Sequence, residues 1–147
     1  MRLVTSLAIL TILLGSVAVA FAEEVQPIAM SIKAIGGADL NQYTTGVEKG
    51  SGANNIGLLI RTWGKVTKLD TNLKFFYIDD GSNRLDESGF VGVRVSYNNL
   101  PDGVTINPPA EQTYVLVTCI SSTIMINDKV QPNLLPRRDS DIQKFIL

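Results

Sequence analysis

Apolar and polar residues alternate most regularly between residues 56 and 97, and the rest of the chain is organised around that stretch. In residues 56–68, Ile60, Thr62, Gly64 and Val66 alternate with Arg61, Trp63, Lys65 and Thr67. This is the period-two pattern of a β-strand with one covered face. Gly64 inside the run predicts a bend or bulge. Residues 73–79 predict a second strand, with Phe75 and Tyr77 on one face and Phe76 and Ile78 on the other. Asp80-Gly81-Ser82-Asn83 is a strong turn signal, followed by a polar loop over 84–90. Residues 91–97 predict a third strand that points Val91, Val93 and Val95 inward and Gly92, Arg94 and Ser96 outward.

Downstream, Pro101, Gly103, Pro108 and Pro109 interrupt residues 98–111, which read as a loop with at most one or two helical turns. Residues 113–121, rich in β-branched side chains, predict a fourth strand. Residues 122–129 read as a hairpin turning at Asn127-Asp128, and 130–135 as a fifth strand. Pro132 and Pro136 mark that strand as interrupted or edge-like. After a charged turn over 137–141, residues 142–147 carry an apolar end back onto the body. Upstream, residues 29–35 read as a short strand or an extended lead-in. Gly36-Gly37 breaks it, and residues 38–55, polar and punctuated by glycine, read as an irregular loop with a short turn or helix. So long a stretch without regular structure is uncommon in a compact domain, which makes it a candidate for function. A three-strand meander, a proline-containing connection and a hairpin predict an all-β fold. The order is that of a five-stranded OB-fold Greek-key barrel with an irregular N-terminal segment. A sandwich with further strands hidden in the first segment is the competing architecture.

The chain has 147 residues, enough for one domain. Its start has a different character. Met1-Arg2 is followed by an apolar run over residues 3–20, then Ala20-Phe21-Ala22 and the acidic pair Glu23-Glu24. This is the pattern of a secretory signal peptide, with cleavage expected after Ala22. A retained membrane anchor is the competing reading, because the run is long enough to span a bilayer. The expected organisation is a signal peptide over 1–22, an irregular segment over 23–55 packed on the barrel, and the barrel over 56–147. The destination is outside the cytoplasm: secreted, periplasmic or on the cell surface. No stable membrane insertion is expected after cleavage.

Charge and composition exclude several functions. Removing residues 1–22 removes one charge, Arg2, and leaves 12 basic against 14 acidic side chains, a net of −2. That balance gives no electrostatic argument for a polyanion partner. There is no histidine, which excludes histidine triads, histidine bases and histidine metal ligands. Cys119 is the only cysteine, so no intramolecular disulfide forms. No phosphate-binding glycine loop of either common spacing occurs. A carboxylate pair for glycoside hydrolysis needs no histidine, but nothing in the spacing of the acids points to one. The expectation is a protein that is not an enzyme and uses no cofactor.

The runs GLLIRTWGKVT, FFYIDDGS, VGVRVSY, YVLVTCISS and PNLLPRRDSDI, in this order, closely resemble a group of exported bacterial OB-fold domains. The resemblance covers about residues 29–142. It implies the fold, and by fold class a nucleic-acid-binding type of domain. Fold alone does not carry function, however. The chain departs from the pattern at Cys119, where those domains have glycine, and at Asn83-Arg84, where they have a further glycine.

Arg61, Trp63, Lys65, Phe75, Tyr77, Arg94 and Tyr97 are the candidate ligand-binding residues. On one face they would make a stacking platform with cations beside it, suited to single-stranded nucleic acid or a glycan. A protein segment is a third candidate partner, and self-assembly a further one. If these aromatics instead fill the barrel, the same residues are core. Adjacent carboxylates at Asp79 and Asp80, with Asp86 and Glu87 near, are candidate calcium ligands, against the plainer reading of an Asx turn. Cys119 reads as a packing residue, since no base is at hand to activate it. Arg137-Arg138 with Asp139 and Asp141 reads as a local ion-pair network. The second role considered is structural, a surface assembly unit with residues 36–52 as its contact arm.

Overall fold

The structure, a computed structural model, describes residues 24–145; the expected signal peptide over 1–22 lies outside the described residues. Among the described residues seven strands form: β1 (Ile28–Ala29), β2 (Leu59–Asp70), β3 (Phe75–Asp79), β4 (Val93–Ser96), β5 (Tyr114–Ile126), β6 (Lys129–Leu135) and β7 (Ile142–Phe145). They make one mixed sheet in the order β1-β2-β3-β4-β6-β5-β7, and a further pairing of β2 with β5 closes part of it into a ring. The ring is antiparallel except where β4 runs parallel to β6. Among the described residues, no helix is long and apolar enough to cross a membrane.

The alternating residues of β2 dictate its placement. Ile60, Thr62 and Val66 are buried, whereas Trp63 faces solvent. Ile60, Val66, Phe76, Ile78, Val93, Val95, Val115, Val117, Cys119 and Leu134 fill one core. Ile32 and Ile35 belong to the same core and are fully buried, so the segment before β2 supplies part of the interior. Ile32 opens a short 3₁₀ turn, Ile32–Ala34, held by its backbone N–H donating to Asp80 Oδ2 at 2.9 Å.

Two glycines are fixed by close approach. A side chain on Gly64 would put Cβ 2.8 Å from the Asp79 carbonyl oxygen of β3. Gly64 thus lets two backbones meet. The irregularity in the β2–β3 register lies further on, between Val66 and Lys68, and not at Gly64 as expected. Gly92 has φ +110°, and a Cβ there would stand 2.0 Å from the Ile78 carbonyl oxygen.

Several predicted boundaries shift for physical reasons. Residues 56–58 turn before β2 begins at Leu59, and Leu73 lies exposed in the turn before β3. The fourth strand runs on from residue 121 to Ile126. Asn127 and Asp128, both left-handed at φ 49° and 61°, then reverse it into β6. Pro132 is tolerated because β6 pairs with β4 only from Asn133 onward. β1 and β7 are the strands beyond the expected five. Of the apolar end predicted over 142–147, Ile142 of β7 is buried and pairs with Val117, whereas Phe145 is exposed and 146–147 lie outside the described residues.

The surface facing Trp63

The candidate residues lie on two faces. Cross-strand partners share a face, and the register pairs Lys65 with Asp79 and Tyr114, and Trp63 with Leu116. Lys68, Asp70, Phe75, Tyr77 and Arg94 follow on the same outer face, through the pairs Lys68–Tyr77, Asp70–Phe75 and Tyr77–Arg94. Arg61, Trp63, Lys65, Phe75, Tyr77 and Arg94 therefore do share a side of the sheet, as the platform required. Tyr97 does not. It sits in the core, its ring 6.3 Å from that of Phe76.

The β3–β4 half of this face is closed. Residues 84–91 fold across it, and Tyr77 is 0% exposed. Its ring lies 5.3 Å from Phe90 and edge-on to Phe75 at 5.8 Å. Its hydroxyl donates to Asp86 Oδ2 at 2.7 Å, and the Ser88 hydroxyl donates to the other oxygen of the same carboxyl. Arg94 lies with Cζ 3.8 Å from the centre of the Phe75 ring, and its Nε donates to Ser96 Oγ at 3.1 Å. Phe75 and Tyr77 are thus outside the core yet unavailable for stacking, which corrects the open platform expected across β2, β3 and β4. Their cover is a loop whose polar sequence hides one aromatic, Phe90. Burial, then the Asp86 hydrogen bond, pushes the Tyr77 hydroxyl up to about 12.

The β2–β5 half stays open. Trp63 is 53% exposed and lines a cleft of about 250 Å³ with Lys65, Asp79, Asp80, Gly81 and Tyr114. Leu116 stands beside Trp63, and Phe145 of β7 pairs across from Tyr114. Tyr114 and Leu116 are half-buried, and Phe145 is exposed. Together they extend Trp63 into an apolar strip with polar ends. Tyr114, Leu116 and Phe145 were not among the expected binding residues. The alternation in residues 113–121 carried the signal for the first two, but their neighbourhood to Trp63 needs the β2–β5 register. Arg61 donates from Nε to Thr118 Oγ1 at 3.0 Å, so it borders the strip while held by β5.

The two turn carboxylates serve the backbone. Asp79 accepts from the N–H of Gly81 at 3.1 Å and of Asn83 at 3.0 Å; Asp80 accepts from Ile32 and from Ser82 at 3.1 Å. Asn83 adopts φ 52°, the left-handed conformation that asparagine tolerates where the resembled pattern has glycine. Asp86 is bound to Tyr77, and Glu87 pairs with Lys129 at 2.6 Å. The proposed calcium set is thereby dispersed. Among the described residues, no group of three or more acids, cysteines or histidines stands close enough to hold a metal ion.

Cys119 is fully buried, and burial above all pushes its thiol up. The charged turn is the ion-pair network expected: Arg137 grips Asp141 through Nε at 3.1 Å and through its terminal nitrogen at 3.0 Å, and its backbone N–H adds a bond of 2.8 Å. Burial works against the Asp141 charge, but Arg137 outweighs it and holds the carboxyl below its usual value. A carboxyl depressed in the fold contributes stability above its unfolded value, near 3.8. That contribution is lost as pH falls through the lower folded value. Urea midpoints measured from pH 7 to pH 2 should thus hold level to about pH 4 and then drop. Asp141→Asn should make the drop shallower; an unchanged acid limb would remove Asp141 from the explanation.

No protein-family model, curated protein or solved structure matches the chain.

Proposed function

We propose that this protein is an exported, non-enzymatic binding module of OB type, and that it takes a neutral saccharide chain along the strip headed by Trp63. The OB reading is supported by the ring order β2-β3-β4-β6-β5, with its single parallel neighbour pair β4–β6 and the closing pair β2–β5. The export reading rests on the sequence pattern of residues 1–24.

The exposed Trp63 carries the binding assignment. A large aromatic left half in water on the outer face of the sheet, with Tyr114, Leu116 and Phe145 continuing it, offers a surface on which a flat apolar ring can lie. The charges favour a neutral ring over a nucleotide. Asp79 and Asp80 line the cleft with Lys65 as its one cation, and paired carboxylates repel a phosphate backbone. The cover over β3 and β4 also removes the face on which OB domains usually hold single strands.

Tryptophan fluorescence tests this simply, because Trp63 is the only tryptophan. Neutral hexasaccharides should change its emission saturably and with little dependence on salt. Trp63→Ala should weaken binding at least about tenfold, roughly 1.4 kcal/mol, while leaving stability within about 0.5 kcal/mol. Binding of oligothymidylate alone, weakened steeply by salt, would reverse the ligand assignment.

One observation favours the assembly role as a second reading. Within residues 36–52, a tight turn bridges Asn41 to Thr44 and leaves Tyr43 88% exposed and Leu40 exposed beside it. As a contact arm it would make self-association depend on Tyr43. Sedimentation of Tyr43→Ser against the unaltered chain tests this, and a concentration-independent monomer in both would remove the arm.

A further inference from the structure

The turn Asp79–Asn83 has a second side. Beyond Gly81, Ser82 and Asn83 border another cleft, of about 230 Å³, whose other walls are Lys33, Glu48, Lys49, Arg84 and Leu85. Three of the chain's 13 basic side chains converge on this one hollow, in a protein whose net charge is negative. Among the described residues, Lys33, Lys49 and Arg84 have no carboxylate within ion-pairing distance. Glu48, the one acid in the wall, has its carboxylate 3.6 Å from Lys129 Nζ.

Arg84 is held in place before any ligand arrives. Its terminal nitrogens donate to the carbonyls of Lys33 at 3.4 Å, Ile35 at 3.3 Å and Glu48 at 3.3 Å. Those three bonds use three of the five N–H donors a guanidinium carries, and leave two with no protein partner. Burial disfavours its charge, and Asp86, the carboxyl that offsets this, is already engaged by Tyr77 and Ser88. Lys49 reaches the same hollow from an exposed left-handed turn position, at φ 56°.

We infer that Lys33, Lys49 and Arg84 form a site for a single oxyanion of phosphate type, separate from the Trp63 strip and divided from it by the Asp79–Asn83 turn. The fixed guanidinium supplies directed hydrogen bonds and the two ammonium groups supply charge. The cleft suits one phosphate group with a small substituent. It leaves open whether the group arrives free or as a monoester on a larger molecule, and the probes separate these.

Titration of the ¹⁵N-labelled protein with inorganic phosphate, at constant ionic strength in chloride, should shift the amides of Lys49, Ser82, Asn83 and Arg84 saturably. Glycerol phosphate binding more tightly than inorganic phosphate would identify an ester as the ligand; the reverse order would identify the free ion. The double variant K33Q/K49Q should bind at least about tenfold more weakly with an unchanged melting temperature. Trp63→Ala should bind phosphate like the unaltered protein, so the oxyanion site and the saccharide strip stand or fall separately. Equal shifts with chloride alone, or full affinity in K33Q/K49Q, would overturn the inference.

Discussion

Tyr77→Ala is expected to lower the stability of the protein by about 3–5 kcal/mol, the cost of emptying a large buried aromatic site. Tyr77 is among the largest fully buried side chains, and it is wedged between Phe75 and Phe90 outside the main core. The loop over 84–91 rests on it. Its loss should therefore also open the β3–β4 face, and amide exchange in that loop should rise by more than the global change explains. Tyr77→Phe keeps the ring and removes only the hydroxyl, leaving the buried Asp86 carboxyl with the donors from Ser88. About 1–3 kcal/mol is expected for that variant. Alkaline unfolding separates the two contributions. The folded hydroxyl is raised to about 12 from 10.0, so its stabilising effect is complete below pH 10 and is lost as pH climbs toward 12. The loss is on the order of 2–3 kcal/mol. Tyr77→Phe should lack this part of the alkaline transition. An alkaline limb identical in both proteins would show that Tyr77 is not held as described.

Asn55→Ala should cost about 2–4 kcal/mol, from one exchange at the boundary between the irregular segment and β2. Asn55 is buried and makes four hydrogen bonds. Its oxygen accepts from the Gly36 N–H at 2.8 Å and the Ser121 hydroxyl at 2.9 Å; its nitrogen donates to the carbonyls of Ala34 at 2.7 Å and Ala53 at 3.1 Å. These ties join both ends of residues 34–55 to β5. Alanine would strand a buried N–H and a buried hydroxyl, which costs more than the bonds themselves contribute. Asn55→Asp keeps the acceptor but sets a carboxylate oxygen against the Ala34 and Ala53 carbonyls in a buried site, so at neutral pH its urea midpoint should fall no higher than that of alanine. Equal stability of Asn55→Ala and the native protein would mean that the segment is held by its other ties, the packing of Ile32 and Ile35 and the hydrogen bonds with Asp80 and Arg84.

Much of the ring was legible because its strands alternate cleanly. Ile60, Val66, Val93 and Val95 fall on the apolar side of their strands by period, and all lie in the core; for β3 the period left two apolar faces, of which Phe76 and Ile78 turn inward. Asn127-Asp128 declared its hairpin by composition, and both residues take the left-handed conformation such a turn requires. The contribution of Ile32 and Ile35 was not legible, because two apolar residues on a three-residue 3₁₀ turn leave no periodic trace. β1, with two residues, is below what any pattern can signal.

At the candidate site, period placed Phe75 and Tyr77 on one face but could not say what lies over it. Both faces of β3 are apolar, Phe75 and Tyr77 on one and Phe76 and Ile78 on the other, and such a strand signals cover on both sides. The cover comes from residues 84–91, whose sequence is mostly polar and whose aromatic contact, Phe90, stands alone. Trp63 and Lys65 were identified from alternation. Their true neighbours, Tyr114 and Phe145, are distant in sequence and meet them only through the pairing of β2 with β5 and of β5 with β7.

Under the proposed function, the open half of the outer face, headed by Trp63, binds and the covered half does not. Mapping amide and indole shifts during titration with a neutral hexasaccharide tests it most directly. Saturable shifts are expected at Trp63, Lys65, Tyr114, Leu116 and Phe145, with Phe75, Tyr77 and Arg94 unmoved. Shifts centred on Phe75, Phe90 and Arg94, or none on the Trp63 strip with any saccharide tried, would contradict it.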